Sequence, residues 1–227
     1  MPETTVTARE LRDNLLFHNT VMVDVHVSYP FVEDIPQSCA KRFNAHYEKQ
    51  AQAWRLYAGE TMFDDAVADY ASAMQNGYPF NTYALAGAYE VTLNAFPLLS
   101  LYSDIYRYTG GAHGITERTG DMWDLARCRR LEMKRLFTWG YDYARPILTY
   151  VAAEAERRQA DGEAQYFDGL TETIVRYFDE KNYYLSDKGL VVFYPLYSIA
   201  PYYVGIQAFT VPYRMFGDNM TYRIAGA

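Results

Sequence analysis

Cysteine is scarce in this sequence. The chain of 227 residues has two cysteines, Cys39 and Cys128, and neither belongs to a Cys-x-x-Cys pair. Such a low count excludes a disulfide-dense scaffold and the common cysteine-based metal motifs. One disulfide between the two cysteines is an alternative, but we expect two reduced, buried thiols.

Long apolar runs and an excess of positive charge are also absent. No run approaches the roughly 20 residues that span a bilayer, and the first ten residues, MPETTVTARE, contain no signal-peptide core. The net charge is −7, which argues against a general nucleic-acid binder and against docking on anionic membranes. From the residues alone we expect a soluble chain with no export signal, and a cytoplasmic location if Met1 is the native start.

The familiar motifs of catalysis are missing as well. The sequence has no Gly-x-Ser-x-Gly elbow, no phosphate-binding Gly-x-x-x-x-Gly-Lys and no His-Glu-x-x-His. Its four histidines show no metal-ligand spacing. We therefore expect neither a metal ion nor a cofactor. The histidines are His18, His26, His46 and His113.

Tyrosine, by contrast, is abundant. The chain has 23 tyrosines, and aromatic residues make up 17% of it. A tyrosine combines an apolar ring with a hydroxyl that needs a hydrogen-bond partner, so this many cannot all lie in a dry core. One interpretation is that some line a wet binding surface, where tyrosine is enriched. The other is that they occupy half-buried sheet positions, which tyrosine also favours.

The hydrophobic spacing divides the chain into strands and helices. Residues 20–29 alternate with period two, which is typical of a half-buried strand, and they pair with residues 4–17 as a hairpin. Residues 38–76 have helical spacing and predict one long helix with a kink at Gly59. Further hairpins are expected over 78–108, 115–136 and 182–194, and shorter helices over 141–159 and 166–179.

These elements predict an α+β fold, in which antiparallel sheets pack against one long helix and two shorter helices. We expect two subdomains that pack closely together. Residues 1–112 would form an N-terminal subdomain of hairpin, long helix and hairpin. Residues 113–227 would form a C-terminal α+β subdomain.

The sharpest local motif is TGGAHG at residues 109–114. In one interpretation the glycines expose backbone amides and let a ligand approach closely, with His113 as a hydrogen-bonding group. In the other, the glycines supply the positive φ of a tight turn and His113 closes it. The residues alone favour the second interpretation, but His113 stays a candidate ligand-binding residue. The structural positions of the motif are Gly110, Gly111 and Gly114.

A second unusual segment is residues 194–213, YPLYSIAPYYVGIQAFTVPY. Pro195, Pro201 and Pro212 interrupt regular pairing, and Gly205 permits a bend. The segment is either an irregular sheet edge with packed rings or an aromatic ridge for recognition, and the residues favour neither. The candidate ligand-binding residues in it are Tyr197, Pro201, Tyr202 and Tyr203.

Two stretches together, YRYTGGAHG at 106–114 and YSIAPYYVGIQAFTVPY at 197–213, carry a family resemblance. They resemble the paired bacterial domains of unknown function in the RsiV anti-sigma factor and the PdaC peptidoglycan deacetylase. Residues 8–112 resemble the first domain and residues 115–213 the second, so the resemblance covers nearly the whole chain.

The resemblance implies an extracytoplasmic α+β segment. In the RsiV branch this region binds lysozyme and controls the proteolytic release of a sigma factor. In PdaC it accompanies a cell-wall deacetylase domain that performs the catalysis. This chain departs from both, because it shows no anchoring helix, no sigma-binding segment and no deacetylase domain. No binding residue is carried over from either.

Three hypotheses for the function follow. The preferred one is a non-catalytic binding or sensing module that recognises a protein, such as lysozyme, or a cell-wall glycan through a tyrosine-lined surface. The second is a hydrolase-type enzyme that uses His113 with a carboxylate brought close by folding, from Asp121 or Asp124. The third is an intracellular partner protein in which the same surface joins two copies of the chain.

Overall fold

The computed structural model describes residues 3–222 and residue 224, and its elements confirm the mixed α+β fold. Three short 3-10 turns, Met133–Leu136, Tyr202–Val204 and Tyr213–Asn219, lie between the regular elements. In chain order the elements are β1 (Val6–Phe17), β2 (Thr20–Val32), α1 (Gln37–Tyr57), a π-helical segment (Ala58–Met62), α2 (Phe63–Asn76), β3 (Tyr83–Ala95), β4 (Leu98–Tyr108), β5 (Ile115–Asp124), β6 (Arg129–Arg130), α3 (Ala144–Ala160), α4 (Leu170–Tyr177), β7 (Tyr183–Leu185), β8 (Gly189–Tyr194) and β9 (Gln207–Pro212).

The strands form one sheet in the order β1-β2-β3-β4-β5-β6 and a second in the order β7-β8-β9. The contacts divide the chain into two compact units. The N-terminal unit comprises Thr4–Tyr89 and Ser103–Glu117. The C-terminal unit comprises Glu3, Glu90–Tyr102 and the described residues from Arg118 onward. This grouping assigns Glu90–Tyr102 to the C-terminal unit, whereas the sequence placed the division after residue 112.

The N-terminal unit begins with an antiparallel hairpin of β1 and β2. His18 and Asn19 form its turn with φ angles of 47° and 65°, values that asparagine and histidine tolerate better than most side chains. Along β2 the valines at 23, 25 and 27 are buried, in keeping with the period of two in the sequence. They pack against α1, the π-helical segment and α2 through Ala51, Ala58, Met62 and Ala66.

One strand pair in the N-terminal unit differs from the expected antiparallel sheets. Strands β2 and β3 are parallel, in a register that runs from Val23 opposite Tyr83 to Val27 opposite Gly87. Parallel neighbours need a long crossover connection, and the long helix is that connection. The alternation of residues could not reveal this, because its period is the same in both kinds of pair.

The long helix is interrupted as the sequence predicted, but by a π-helical segment. Residues Ala58–Met62 make the wider turn around Gly59, and both Ala58 and Met62 are buried. A π-bulge inserts a residue without ending the helix, so the apolar stripe keeps facing the sheet on both sides. Gly77, with φ of 73°, ends α2 in the left-handed conformation that glycine favours.

The C-terminal unit is built on β7, β8 and β9. Every residue of β8 is buried, and α3 covers the sheet with Ile147, Val151 and Ala155. The hairpin expected over 115–136 is wrong in its second half: β6 ends at Arg130 and the 3-10 turn Met133–Leu136 follows. None of the helices in the described part of the chain combines the length and the apolarity that crossing a bilayer requires.

Candidate functional site

The TGGAHG motif connects β4 to β5 in the N-terminal unit. Gly110 has a φ of +80°, and its carbonyl accepts a hydrogen bond from the Asn81 side chain at 3.0 Å. A Cβ at Gly114 would lie 2.4 Å from the carbonyl oxygen of Arg107, so no larger residue fits there. Gly111 has open space around it. Gly110 thus provides the positive φ of a turn, and Gly114 allows two backbone segments to approach closely.

His113 and the two aspartates considered with it lie in different units. His113 is exposed, and its Nδ1 lies 3.0 Å from the carbonyl oxygen of Gly114. Asp121 and Asp124, in the C-terminal unit, are 3% and 0% exposed and form ion pairs with Arg130 and Arg127 respectively. Both carboxylates are therefore paired with arginines. The hypothesis of an enzyme that uses His113 stays a prediction.

Asp124 is held in its charged form. Burial by itself would raise the pKa of this carboxyl, but hydrogen bonds from Arg127 and Tyr222 outweigh burial and keep the pKa below its ordinary value. The two contacts are 2.9 Å each, from Arg127 Nη1 and from the Tyr222 hydroxyl to Oδ2. A carboxylate stabilised in this way is a weak proton acceptor, which suits a structural role.

The proline-broken segment brings some of the candidate tyrosines together. Tyr197 is 51% exposed and its φ is +64°, a left-handed conformation that costs a non-glycine residue roughly 1–2 kcal/mol. Its ring lies 5.6 Å from the ring of Tyr202, which begins the 3-10 turn after Pro201. Gly205 ends that turn with a φ of +81°.

Tyr203 points elsewhere. It is 72% exposed, and its hydroxyl donates to the side chain of Gln165. With Gln165, Tyr166 and Asp168 it borders a separate concavity of about 700 Å³. The structure therefore places Tyr197 and Tyr203 at different concavities of the same unit.

Tyr197 borders a cleft of about 1020 Å³ in the C-terminal unit. We call it the tyrosine cleft. Three stretches of chain and one glycine line it: residues 130–134, 176–183 and 195–198, together with Gly120. A cavity of this size matches the volumes of ligand sites in proteins.

The floor of the tyrosine cleft is closely packed. A Cβ at Gly120 would lie 1.8 Å from the carbonyl oxygen of Tyr183, so β5 and β7 approach as closely as backbones can. The buried Tyr183 hydroxyl donates to the carbonyl of Leu131 at 2.7 Å, and burial raises the pKa of this phenol. Tyr183 therefore remains a neutral donor that ties the strand to residues 130–134.

The rim of the tyrosine cleft carries rings and mixed charges. Tyr177, at the end of α4, is 44% exposed. Tyr197 is the second half-exposed ring. The charged side chains include both signs, so the cleft suits a ligand with an apolar face and hydrogen-bonding groups around it. They are Arg130, Lys134, Arg176, Lys181, Glu132, Asp179 and Glu180.

Sequence reasoning found Tyr197 and missed most of the cleft. Tyr177, Arg176 and residues 130–134 come from parts of the chain that show no motif of their own. The available signal was the high density of charged residues over 129–135, where the structure has a turn instead of the expected strand.

Two known families match successive parts of the chain. Residues 18–116 match the family described as "Deacetylase PdaC", and residues 134–214 match the family described as "Protein of unknown function (DUF3298)". Each match covers less than half of the chain. The TGGAHG motif lies at the C-terminal end of the PdaC match. Most of the tyrosine cleft lies within the DUF3298 match. The resemblance to PdaC is thus confirmed, whereas the link to RsiV stays a prediction.

Two solved structures of DUF3298 family proteins share the fold. The protein from Bacteroides fragilis is 20% identical, with a TM-score of 0.68 over 97% of this chain and 95% of that one. The protein from Pseudomonas aeruginosa is 16% identical, with a TM-score of 0.63 over 96% of each chain. No curated protein matches this sequence. At these identities the likeness concerns the fold.

Proposed function

We propose that this protein is a non-catalytic binding module, and that the tyrosine cleft of its DUF3298 region recognises a protein or a cell-wall glycan. The observation that carries the proposal is the pair of half-exposed rings, Tyr177 and Tyr197, at a cleft with a closely packed floor. Tyrosine rings supply large contact area at a low cost in side-chain entropy, and tyrosines often dominate binding energy.

The backbone at Tyr197 supports a role in binding. A tyrosine gains nothing for folding from a φ of +64°, since a glycine would adopt it without strain. Strained residues of this kind concentrate at functional sites. Covering the exposed part of one such ring stabilises a complex by roughly 1–2 kcal/mol.

The nature of the ligand follows from chemistry and from resemblance. The mixed charges around the rings suit the hydrogen-bonding groups of a sugar or of a protein surface. The likeness of the sequence to PdaC and to the RsiV ectodomain motivates a cell-wall glycan and lysozyme as the two ligands to test. The ion pairs of Asp121 and Asp124 favour binding over hydrolysis.

Isothermal titration calorimetry of the full chain with lysozyme and with muropeptides tests the proposal. We expect one of the two to bind, and Tyr197→Ala and Tyr177→Ala each to weaken that binding roughly tenfold. Tyr203→Ala is the matched control, because Tyr203 is more exposed yet borders a different concavity. Its affinity should match the wild type.

Three outcomes would count against the proposal. The first is no binding of either ligand. The second is a loss of affinity in Tyr203→Ala but not in Tyr197→Ala, which would move the site to the neighbouring concavity. The third is a dimer in light scattering that Tyr197→Ala dissociates, which would favour the partner-protein hypothesis.

A further inference from the structure

A second concavity of the C-terminal unit is lined by positive side chains, although the chain as a whole is negative. It has a volume of about 680 Å³. Among the described residues, its lining contains Arg127, Arg129, Lys134 and Arg135 but no aspartate or glutamate. The whole chain has a net charge of −7. We call this concavity the basic pocket. The tyrosine cleft, by comparison, mixes both signs.

Two of the four cations are neutralised from outside the pocket. Arg127 Nη1 lies 2.9 Å from Asp124 Oδ2, and Lys134 Nζ lies 2.7 Å from Glu132 Oε2. The remaining positive charge comes from Arg129 and Arg135, which are both exposed. Arginine favours carboxylate ligands, because its planar fork can bind both oxygens at once.

The pocket also presents the most exposed large apolar side chain of the described residues. Trp139 is 102% exposed, and Gly140 follows it with a φ of +82°. The same lining includes Phe137, which is buried and stacks on Tyr143 at 4.8 Å between ring centroids. The exposed indole offers a large apolar contact to a partner.

The walls of the pocket are fixed before any ligand arrives. The backbone amide of Thr221 donates to the carbonyl of Leu136, and its hydroxyl donates to the carbonyl of Arg135, both at 2.8 Å. Thr138 N donates to the carbonyl of Asn219 at 2.8 Å. These bonds join the chain before Trp139 to the segment that ends in Tyr222. A preorganised site loses little entropy on binding.

We infer that the basic pocket is a docking site for an acidic segment of a partner protein. An exposed tryptophan, half-buried tyrosines and exposed arginines surround the concavity. These residue types are enriched at interaction hot spots between proteins. The positive pocket attracts carboxylates, while the negative remainder of the chain repels an acidic partner and so directs it to this place. The site is additional to the tyrosine cleft of the proposed function.

A bilayer surface fits the pocket less well. Among the described residues of the lining, Trp139 is the one large apolar side chain that is strongly exposed, whereas Phe137 is buried and Tyr141 half-buried. Membrane docking favours a convex face with several apolar residues and a wide basic surface. The net charge of −7 also opposes approach to anionic lipids.

Fluorescence anisotropy tests the inference with the full chain. The probe is a short fluorescein-labelled peptide in which glutamates alternate with leucines, and the control peptide carries glutamines in place of the glutamates. We expect the acidic peptide to bind and the glutamine peptide not to bind. Affinity should fall several-fold between low and physiological salt, because salt screens exposed charges.

Variants locate the site. We expect Trp139→Ala and Arg135→Gln each to weaken binding of the acidic peptide roughly tenfold. Arg145→Gln is the matched control, because Arg145 is an exposed cation of the same unit outside the pocket lining, and its affinity should stay within about twofold. Circular dichroism of each variant checks that the fold is retained.

The inference is overturned if the glutamine peptide binds equally, or if Arg145→Gln weakens binding as much as Arg135→Gln.

Flotation with vesicles containing anionic phospholipid is a further experiment. Vesicle binding that Trp139→Ala abolishes, in the absence of peptide binding, would assign the pocket to a membrane. Competition by inorganic phosphate at low concentration would assign it to a small anion. Neither result depends on whether lysozyme or muropeptides bind the tyrosine cleft.

Discussion

Gly120 has a hydrogen atom in place of a side chain, and this allows β5 to approach β7 closely. A Cβ there would lie 1.8 Å from the carbonyl oxygen of Tyr183 and 2.7 Å from its carbonyl carbon. Both atoms belong to backbone and cannot rotate away. We therefore expect Gly120→Ala to lower the free energy of unfolding by about 3 kcal/mol, as overpacking of a fixed contact does. Urea denaturation monitored by circular dichroism measures the change.

Gly111 provides the matched control for the same substitution. It lies in the TGGAHG motif, its φ is outside the left-handed region, and nothing lies within 4 Å of a Cβ placed there. Gly111→Ala should change the stability by less than about 0.5 kcal/mol. A Gly120→Ala variant as stable as Gly111→Ala would show that the two strands can separate at little cost.

Helix α3 is attached to the second sheet by a cluster of charges centred on Glu154. Its carboxylate accepts hydrogen bonds from Arg157 at 2.9 Å and from Arg158 at 3.0 Å. Arg158 also donates to the carbonyl of Ala208 at 3.1 Å and lies over the ring of Phe209 in β9. One carboxylate therefore orients the arginine that joins the helix to the sheet.

This cluster predicts a loss of stability in acid. Hydrogen bonds from Arg157 are the main cause that lowers the pKa of Glu154 from 4.5 to about 2. A carboxyl whose pKa is lowered by folding stabilises the fold at pH values above its pKa in the unfolded chain, which is 4.5. That contribution disappears as the pH falls from 4.5 to about 2. Since the partners are partly exposed, we expect Glu154→Gln to cost about 1–2 kcal/mol at neutral pH and almost nothing at the acid end.

The control for the acid prediction is Glu156→Gln, an exposed carboxylate on the same helix. Urea denaturation over the acid range should give this variant the same dependence on pH as the wild type, while Glu154→Gln loses part of that dependence. Equal curves for Glu154→Gln and the wild type would mean that the cluster adds nothing to stability.

The regular elements were predictable because burial leaves a period in the sequence. The alternation of β2 and the helical spacing of residues 38–76 each follow from one face being buried. The interruption near Gly59 was predictable from the low helix propensity of glycine. The parallel pairing of β2 with β3 was not, since it depends on the path of the crossover. The tyrosine cleft was mostly unpredictable too, because three separate segments build it and only Tyr197 lay in an unusual stretch.

At the scale of the whole molecule, the C-terminal unit depends on residues from the first half of the chain. Glu90–Tyr102 belong to it, and Leu93 and Leu98 lie in its main core. The hydroxyl of Thr92 donates to the carbonyl of Leu185 at 2.6 Å, and the amide of Leu185 donates to the Ser100 hydroxyl at 2.8 Å.

A fragment of residues 113–227 lacks all of these contacts. Losing two buried leucines costs roughly 4–10 kcal/mol, which is comparable with the roughly 5–15 kcal/mol that stabilises a whole domain. We expect this fragment to show no aromatic signal in near-ultraviolet circular dichroism and no cooperative unfolding in urea. A longer fragment, residues 88–227, restores Leu93, Leu98 and the hydrogen bonds to Leu185 and should recover both. Cooperative unfolding of the shorter fragment would mean that the core of the C-terminal unit is complete without residues 90–102, against the grouping by contacts.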